Sequence, residues 1–308
     1  MTTSVKLNSG FSMPTLGLGT FLAKPGEVGA AVLKAIEVGY RHFDLAAVYG
    51  NEAEIGDALQ TAYERGLVKR EELFLTSKLA ATSMSPAKAE LCLAQTLADL
   101  KTSYVDLYLI HHAIAVNKAA DGKLSVARGE GYSLCDTYAF LESAVASGRV
   151  RSIGVSNFVV QLLNDLLNWC TIKPAVNQIE RHPYLAQAGM MELCAREHIF
   201  VTAYAPLGAP ALRDARDHGF GVTPLLDEPT IAGVAKKHNK TPAQVLIRWQ
   251  IDTGAIVIPK SANETRIREN FAVFDFALDA ADLAAIAPLA KTKLRYFSHT
   301  WTTLSAME

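Results

Sequence analysis

Short apolar runs and longer amphipathic stretches alternate along almost the whole chain. Eight runs read as strands: TLGLGT (15–20), RHFDLA (41–46), LFLTSK (73–78), DLYLIH (106–111), VRSIGVS (150–156), PAVNQI (174–179), IFVTAY (199–204) and AIVIPK (255–260). Between them, EVGAAVLKAIEVG (27–39) places Val28, Ala31, Val32, Ala35 and Ile36 at helical spacing. In SPAKAELCLAQTLADL (85–100), Pro86 suits the first turn of a helix. Further helices are expected after residues 51, 136, 158, 189, 229, 241 and 263. Strands alternating with helices predict parallel βα units of the α/β class. Eight such units in about this length predict a (β/α)8 TIM barrel, a single domain over 1–308. A doubly wound sheet shares the alternation, which does not by itself exclude it.

Ahead of the first barrel strand, SVKLNSGFSMP reads as two short strands around Asn8-Ser9-Gly10, a hairpin at about 4–14 that could plug one end. Two long loops, 112–135 and 207–228, follow the fourth and seventh strands, and the tail from about 291 to 308 is a third irregular segment. Loops of this length in a compact domain are usually functional.

Composition narrows the partners. Thirty basic against thirty-one acidic residues leave a net charge of −1 with no block of like charge, so no nucleic acid and no anionic membrane surface is expected. The four cysteines, Cys92, Cys135, Cys170 and Cys194, form no C-x-x-C pair, which argues against a metal site and for free thiols in the cytoplasm. MTTSVKLNSG lacks a basic start followed by an apolar stretch, and no run approaches the roughly 18 apolar residues of a membrane span.

Candidate chemistry lies at the strand ends. Asp44, Lys78, His111, Ser156 with Asn157, Gln178, Tyr204 and Lys260 with Ser261 end their strands in polar or titratable groups, and a barrel would bring all of them to one face. Asp44 sits inside an otherwise apolar strand and needs a cationic partner. Lys78 is the expected one, and Tyr49 the group that the pair tunes: a phenol titrates near ~10 and needs a neighbouring ammonium to work as an acid near neutrality. His111 and His112 could be a metal pair, but adjacent strand residues point to opposite faces and no further ligand sits at a suitable spacing.

At this point the chain resembles the aldo-keto reductases, through LNSGFSMPTLGLGTF, GYRHFDLAAVYGNEAEIGDAL, LFLTSKL, VDLYLIHH, VRSIGVSNF, AVNQIERHPY, AYAPLG, TPAQVLIRWQ and IPKSANETRIRENFAVFDF. The resemblance implies a barrel that binds NADPH/NADP+ without a Rossmann fingerprint; in GLGTFL, Leu22 stands where that fingerprint needs glycine. It implies that Tyr49 protonates the carbonyl oxygen, that Lys78 and Asp44 depress its pKa and that His111 orients the carbonyl. Ser156, Asn157 and Gln178 would hold the carboxamide and Tyr204 would stack on the nicotinamide. Lys260, Ser261 and Arg266 would hold the 2′-phosphate, Glu269 and Asn270 would lie beside the adenine, and Gly19, Thr20, Phe21 and Leu207 would complete the cofactor site.

Phe21, Val48, Ala80, His112, Tyr296 and Phe297 are the expected substrate pocket. Many relatives have Trp where this chain has Phe21, Ala80 and His112, and commonly Ser at Ala205, so Ala80 should open a gap. The expected function is NADPH-dependent reduction of aldehydes and ketones to alcohols by a cytoplasmic monomer. Two alternatives share the barrel: a cofactor-sensing regulatory subunit, and Schiff-base chemistry at Lys78, which the paired Asp44 disfavours by keeping the amine protonated.

Overall fold

A computed structural model describes residues 3–210 and 221–297. The eight barrel strands form one parallel sheet: β3 (Leu18–Gly19), β4 (His42–Asp44), β5 (Phe74–Leu79), β6 (Val105–Ile110), β9 (Val150–Ser156), β10 (Val176–Glu180), β11 (Phe200–Tyr204) and β12 (Ile256–Val257). Each pairs with the next in chain order, and bridges from Leu16 to Val257 and from Gly19 to Lys260 join the last strand to the first. The sheet therefore closes on itself, which a doubly wound sheet cannot do. Closure depends on Gly19, where a Cβ would stand 2.9 Å from the Ile258 carbonyl oxygen.

β1 (Ser4–Lys6) and β2 (Ser12–Pro14) pair antiparallel as the expected hairpin. Asn8 Nδ2 donates to the Pro174 carbonyl at 3.0 Å, and the Ser9 and Ser152 hydroxyls lie 2.7 Å apart. Leu7 and Met13 from this hairpin pack with Phe74, Leu107, Leu109, Val176 and Ile256 inside the barrel. The alternate residues Phe43, Leu75, Tyr108 and Ile110 face the surrounding helices in the main core. On β5, Phe74, Thr76 and Lys78 thus share the inner face, apolar below and charged above.

The long loop 112–135 is more ordered than its composition suggests: it carries a two-stranded hairpin, β7 (Val116–Lys118) and β8 (Leu124–Val126). Residues 211–220 of the 207–228 loop and 298–308 of the tail lie outside the described residues. A helix absent from the sequence reading covers Ala280–Ile286, begun by a reciprocal Asp279–Asp282 cap. Helix Glu52–Glu64 passes so close to the end of helix Pro86–Asp99 that a Cβ at Gly56 would stand 2.0 Å from the Asp99 carbonyl oxygen.

His42 lies fully buried on the inner face, its Nε2 3.4 Å from the Thr76 hydroxyl. Burial, aided by the charge of Lys78, pulls its pKa down to about 3. The folded state keeps the ring neutral while the unfolded chain takes a proton near ~6.5. This contribution is thus full above that pH and falls by about 1.4 kcal/mol per unit below it, down to the folded pKa. Between pH 6.5 and 5 the wild type is expected to lose about 2 kcal/mol by urea unfolding that His42→Asn does not lose; equal slopes would assign the acid sensitivity elsewhere.

Candidate active site

The upper ends of the strands and the turns that follow them bring Asp44, Tyr49, His111, Ser156, Asn157, Gln178 and Tyr204 to the wall of one cavity of about 980 Å³, with Lys78 buried behind Asp44 and Tyr49. Lys78 is completely buried, and its ammonium donates to Asp44 Oδ1 at 2.6 Å, to the Leu45 carbonyl at 2.7 Å and to the Tyr49 hydroxyl at 3.3 Å. Asp44 has the cationic partner its apolar strand requires, and its other oxygen accepts from Gln178 Nε2 at 2.6 Å. The strand carrying Asp44 is held by Thr20, whose hydroxyl donates to the Asp44 carbonyl at 2.8 Å. Asn51 Nδ2 in turn donates to the Thr20 carbonyl at 3.1 Å.

Tyr49 arrives differently from the strand residues, on a 3-10 turn (Ala47–Tyr49) that ends at Gly50 with φ 67°. Its ring lies 5.0 Å from Phe21 and edge-on to His111 at 5.8 Å. Burial raises the phenol pKa well above its usual value, and the Asp44 charge raises it further. The Asp44 charge acts on the phenol in this direction because a nearby anion disfavours phenolate. The resting phenol is consequently protonated. Burial also lowers the pKa of Lys78, against the pull of Asp44.

His111 and His112 follow the last residue of β6, so strand alternation does not apply to them. Both rings line the cavity, stacked at 4.9 Å and 9°. Among the described residues no group of three or more His, Cys, Asp or Glu side chains could hold a metal ion.

The three expected carboxamide ligands and Tyr204 are linked by hydrogen bonds, Asn157 Nδ2 reaching the Ser156 hydroxyl at 3.2 Å. Ser156 donates to the Gln178 carbonyl at 2.9 Å, Asn157 Nδ2 to the His111 carbonyl at 2.9 Å, and Tyr204 to Asn157 Oδ1 at 2.8 Å. Asn157 and Ala205, the residues just after β9 and β11, have φ of 61° and 50° and turn the chain off the barrel rim. For Ala205 this left-handed conformation costs roughly 1–2 kcal/mol.

Gly19, Thr20, Phe21, Leu207 and Lys260 also line the cavity, which extends along the rim. Lys260 Nζ donates to the Leu22 carbonyl at 3.2 Å. Ser261 follows, and Arg266 lies in helix Glu264–Phe271, which Asn263 caps by accepting the Arg266 N–H at 3.0 Å. Burial lowers the pKa of Lys260, and the neighbouring charges of Arg266 and Lys24 lower it further. Glu269 accepts from the Thr241 hydroxyl at 2.5 Å, and Asn270 is buried, so both belong to the helix packing rather than the cavity wall.

Of the expected substrate residues, Phe21, Val48, Ala80, His112 and Phe297 line the cavity. Tyr296 is a correction: it is buried with its ring 5.0 Å from His182, outside the cavity wall. Glu52, which the sequence reading passed over, is buried behind β5 and accepts from Ser77 at 2.6 Å and Thr96 at 2.9 Å. An acidic residue beginning a helix next to a strand end was the available signal.

The family model described as Aldo/keto reductase family matches residues 15–291. The chain is 44% identical over 295 residues to aldo-keto reductase family 1 member A1 of Sus scrofa, covering 93% of this chain and 89% of that protein. It is 43% identical to the Homo sapiens protein of the same description, with the same coverage. Among solved structures, the aldose reductase from Schistosoma japonicum superposes with a TM-score of 0.87 at 39% identity, covering 98% of this chain and 96% of that one.

Proposed function

The chain belongs to the aldo/keto reductase family and is an oxidoreductase that reduces carbonyl groups with a nicotinamide cofactor; on that premise we propose that it reduces aldehydes and ketones with NADPH, Tyr49 being the general acid. The observation that carries this reading is the contact of one fully buried ammonium, Lys78, with both Asp44 and the Tyr49 hydroxyl. A protonated phenol facing a cavity has a proton to give. As negative charge develops on the carbonyl oxygen, the Tyr49 proton moves to it, and the Lys78 ammonium stabilises the phenolate left behind. Asp44 keeps that ammonium charged and aimed, and Gln178 fixes Asp44. His111, edge-on to Tyr49, directs the carbonyl toward the phenol.

When bound, the nicotinamide supplies the hydride. Its holding residues in this proposal are Ser156, Asn157, Gln178 and Tyr204 at the ring end, with Gly19, Thr20, Phe21 and Leu207 along the cavity. The positive cluster of Lys24, Lys260 and Arg266, whose members lower the pKa of Lys260, suits a phosphate dianion. That fit supports NADPH over NADH. Lys260→Ala or Arg266→Ala is expected to weaken NADPH about 10- to 100-fold, the worth of one charge-assisted bond, and NADH less than about threefold. Fluorescence titration with each cofactor checks this; equal losses would remove the cluster from phosphate recognition.

The free thiols Cys92, Cys135, Cys170 and Cys194 support a cytoplasmic enzyme. Among the described residues no helix is long and apolar enough to cross a membrane. The direct test is NADPH absorbance in the presence of an aromatic aldehyde. Aldehyde-dependent loss of absorbance, faster than with NADH, is expected; bound NADPH without turnover on any carbonyl would return the cofactor-sensing alternative.

A further inference from the structure

Two residues beyond Gln178 on β10, Glu180 is fully buried and takes no part in the proposed chemistry. Strand alternation sets both side chains on the same face, so β10 presents an amide to Asp44 and, one pleat higher, a carboxylate to the rim. That carboxylate is engaged by the C-terminal segment. The Tyr296 N–H donates to Oε1 at 2.6 Å and the Phe297 N–H to Oε2 at 3.0 Å. His182 Nε2 lies 3.0 Å from Oε1. Just upstream, the Leu294 N–H donates to the Tyr184 carbonyl at 3.1 Å, so the segment is tied twice to the chain around the end of β10.

What the tie positions is Phe297. Its ring stands edge-on to Tyr204 at 5.4 Å and 6.2 Å from Phe21, and it lines the cavity. Phe21 in turn lies 5.0 Å from Tyr49. The rings of Tyr49, Phe21, Phe297 and Tyr204 therefore run in sequence around the mouth, and three of them rest on the barrel or its loops. The fourth depends on the segment that Glu180 holds. A buried carboxylate is costly unless its acceptor sites are used, and two oxygens facing two N–H groups use them well. A glutamine side chain offers one acceptor and one donor and cannot match both.

We propose that Glu180 is a positioning residue that sets substrate specificity, holding residues 296–297 so that Phe297 forms a wall for carbonyl compounds with bulky aromatic substituents. Small aldehydes, which reach Tyr49 without touching that wall, are indifferent to it. The inference rests on the reductase reading for its kinetic consequence, whereas the tie itself has a readout that needs no activity.

The experiment is Glu180→Gln in the full chain, with benzophenone and propanal as carbonyl probes and NADPH as reductant. The KM for benzophenone is expected to rise about tenfold, the scale of lost ring contacts. Propanal KM and the kcat values should stay within about twofold. Amide hydrogen exchange at Tyr296 and Phe297 should accelerate at least about tenfold as the two bonds are lost. An equal rise in KM for both carbonyls, or unchanged exchange, would overturn the proposal.

Tyr296→Pro, which removes one of the two N–H groups, compared with Tyr296→Ala, which keeps it, covers the case of a variant that does not fold. The benzophenone effect should appear in the proline variant alone, and identical behaviour of the two would overturn the proposal. If the wild type consumes NADPH with neither carbonyl, the specificity role is overturned along with the reductase reading, and exchange at 296–297 still decides whether Glu180 holds the tail.

Discussion

Tyr49→Phe is expected to lower turnover about a thousandfold while leaving the dissociation constant for NADPH within about twofold. The substitution deletes one hydroxyl, which accepts from the Lys78 ammonium at 3.3 Å, and keeps the ring that packs on Phe21 and His111. General acid catalysis is typically worth about 10²- to 10⁴-fold, so the loss corresponds to roughly 4 kcal/mol of transition-state stabilisation. Folding should hardly suffer, because phenylalanine fills the same space. Single-turnover NADPH oxidation beside a fluorescence titration separates the two quantities. Turnover within tenfold of wild type would take the proton from another group, with His111 next in line.

Lys78→Met should affect both activity and stability. Lys78 is fully buried, and its charge is matched by Asp44 at 2.6 Å. Removing it strands the Asp44 carboxylate in the barrel, held by the Gln178 amide without a matching cation. Breaking one partner of a buried pair typically costs about 3–5 kcal/mol, and the loss should appear as a lowered urea midpoint.

Adding Asp44→Asn removes the stranded charge, so Lys78→Met/Asp44→Asn should regain much of that stability. Turnover should remain about a thousandfold down in both variants, because neither retains the ammonium that stabilises the Tyr49 phenolate. A double variant that regained turnover along with stability would make the pair a structural device only.

The two predictions depend on geometry that was partly visible beforehand. An aspartate inside RHFDLA cannot be buried unpaired, and the lysine of LFLTSK ends the next strand on the same inner face, so the Asp44–Lys78 pair could be expected from alternation and cost alone. The direction of the Tyr49 pKa could not. It follows from the desolvation of the half-buried phenol at the cavity wall and from Asp44 acting on it through space, neither of which spacing encodes. His111 and His112 show the same limit in another form. Alternation places them on opposite faces, yet β6 ends at Ile110 and both rings turn into one cavity.

What the sequence determined by itself is the set of elements and the chemistry at their ends. Apolar period marks burial residue by residue, and a carboxylate, ammonium, phenol or imidazole keeps its character wherever the chain takes it. Closure was left to the tertiary structure, because the bridge from Gly19 to Lys260 depends on the strand stagger accumulated over all eight strands. With closure came the contacts between distant segments: Gln178 on Asp44 across 134 residues and Glu180 on the Tyr296 N–H across 116. No local pattern carries such pairings, since their energy exists only once strand register has fixed which side chains share a level of the barrel.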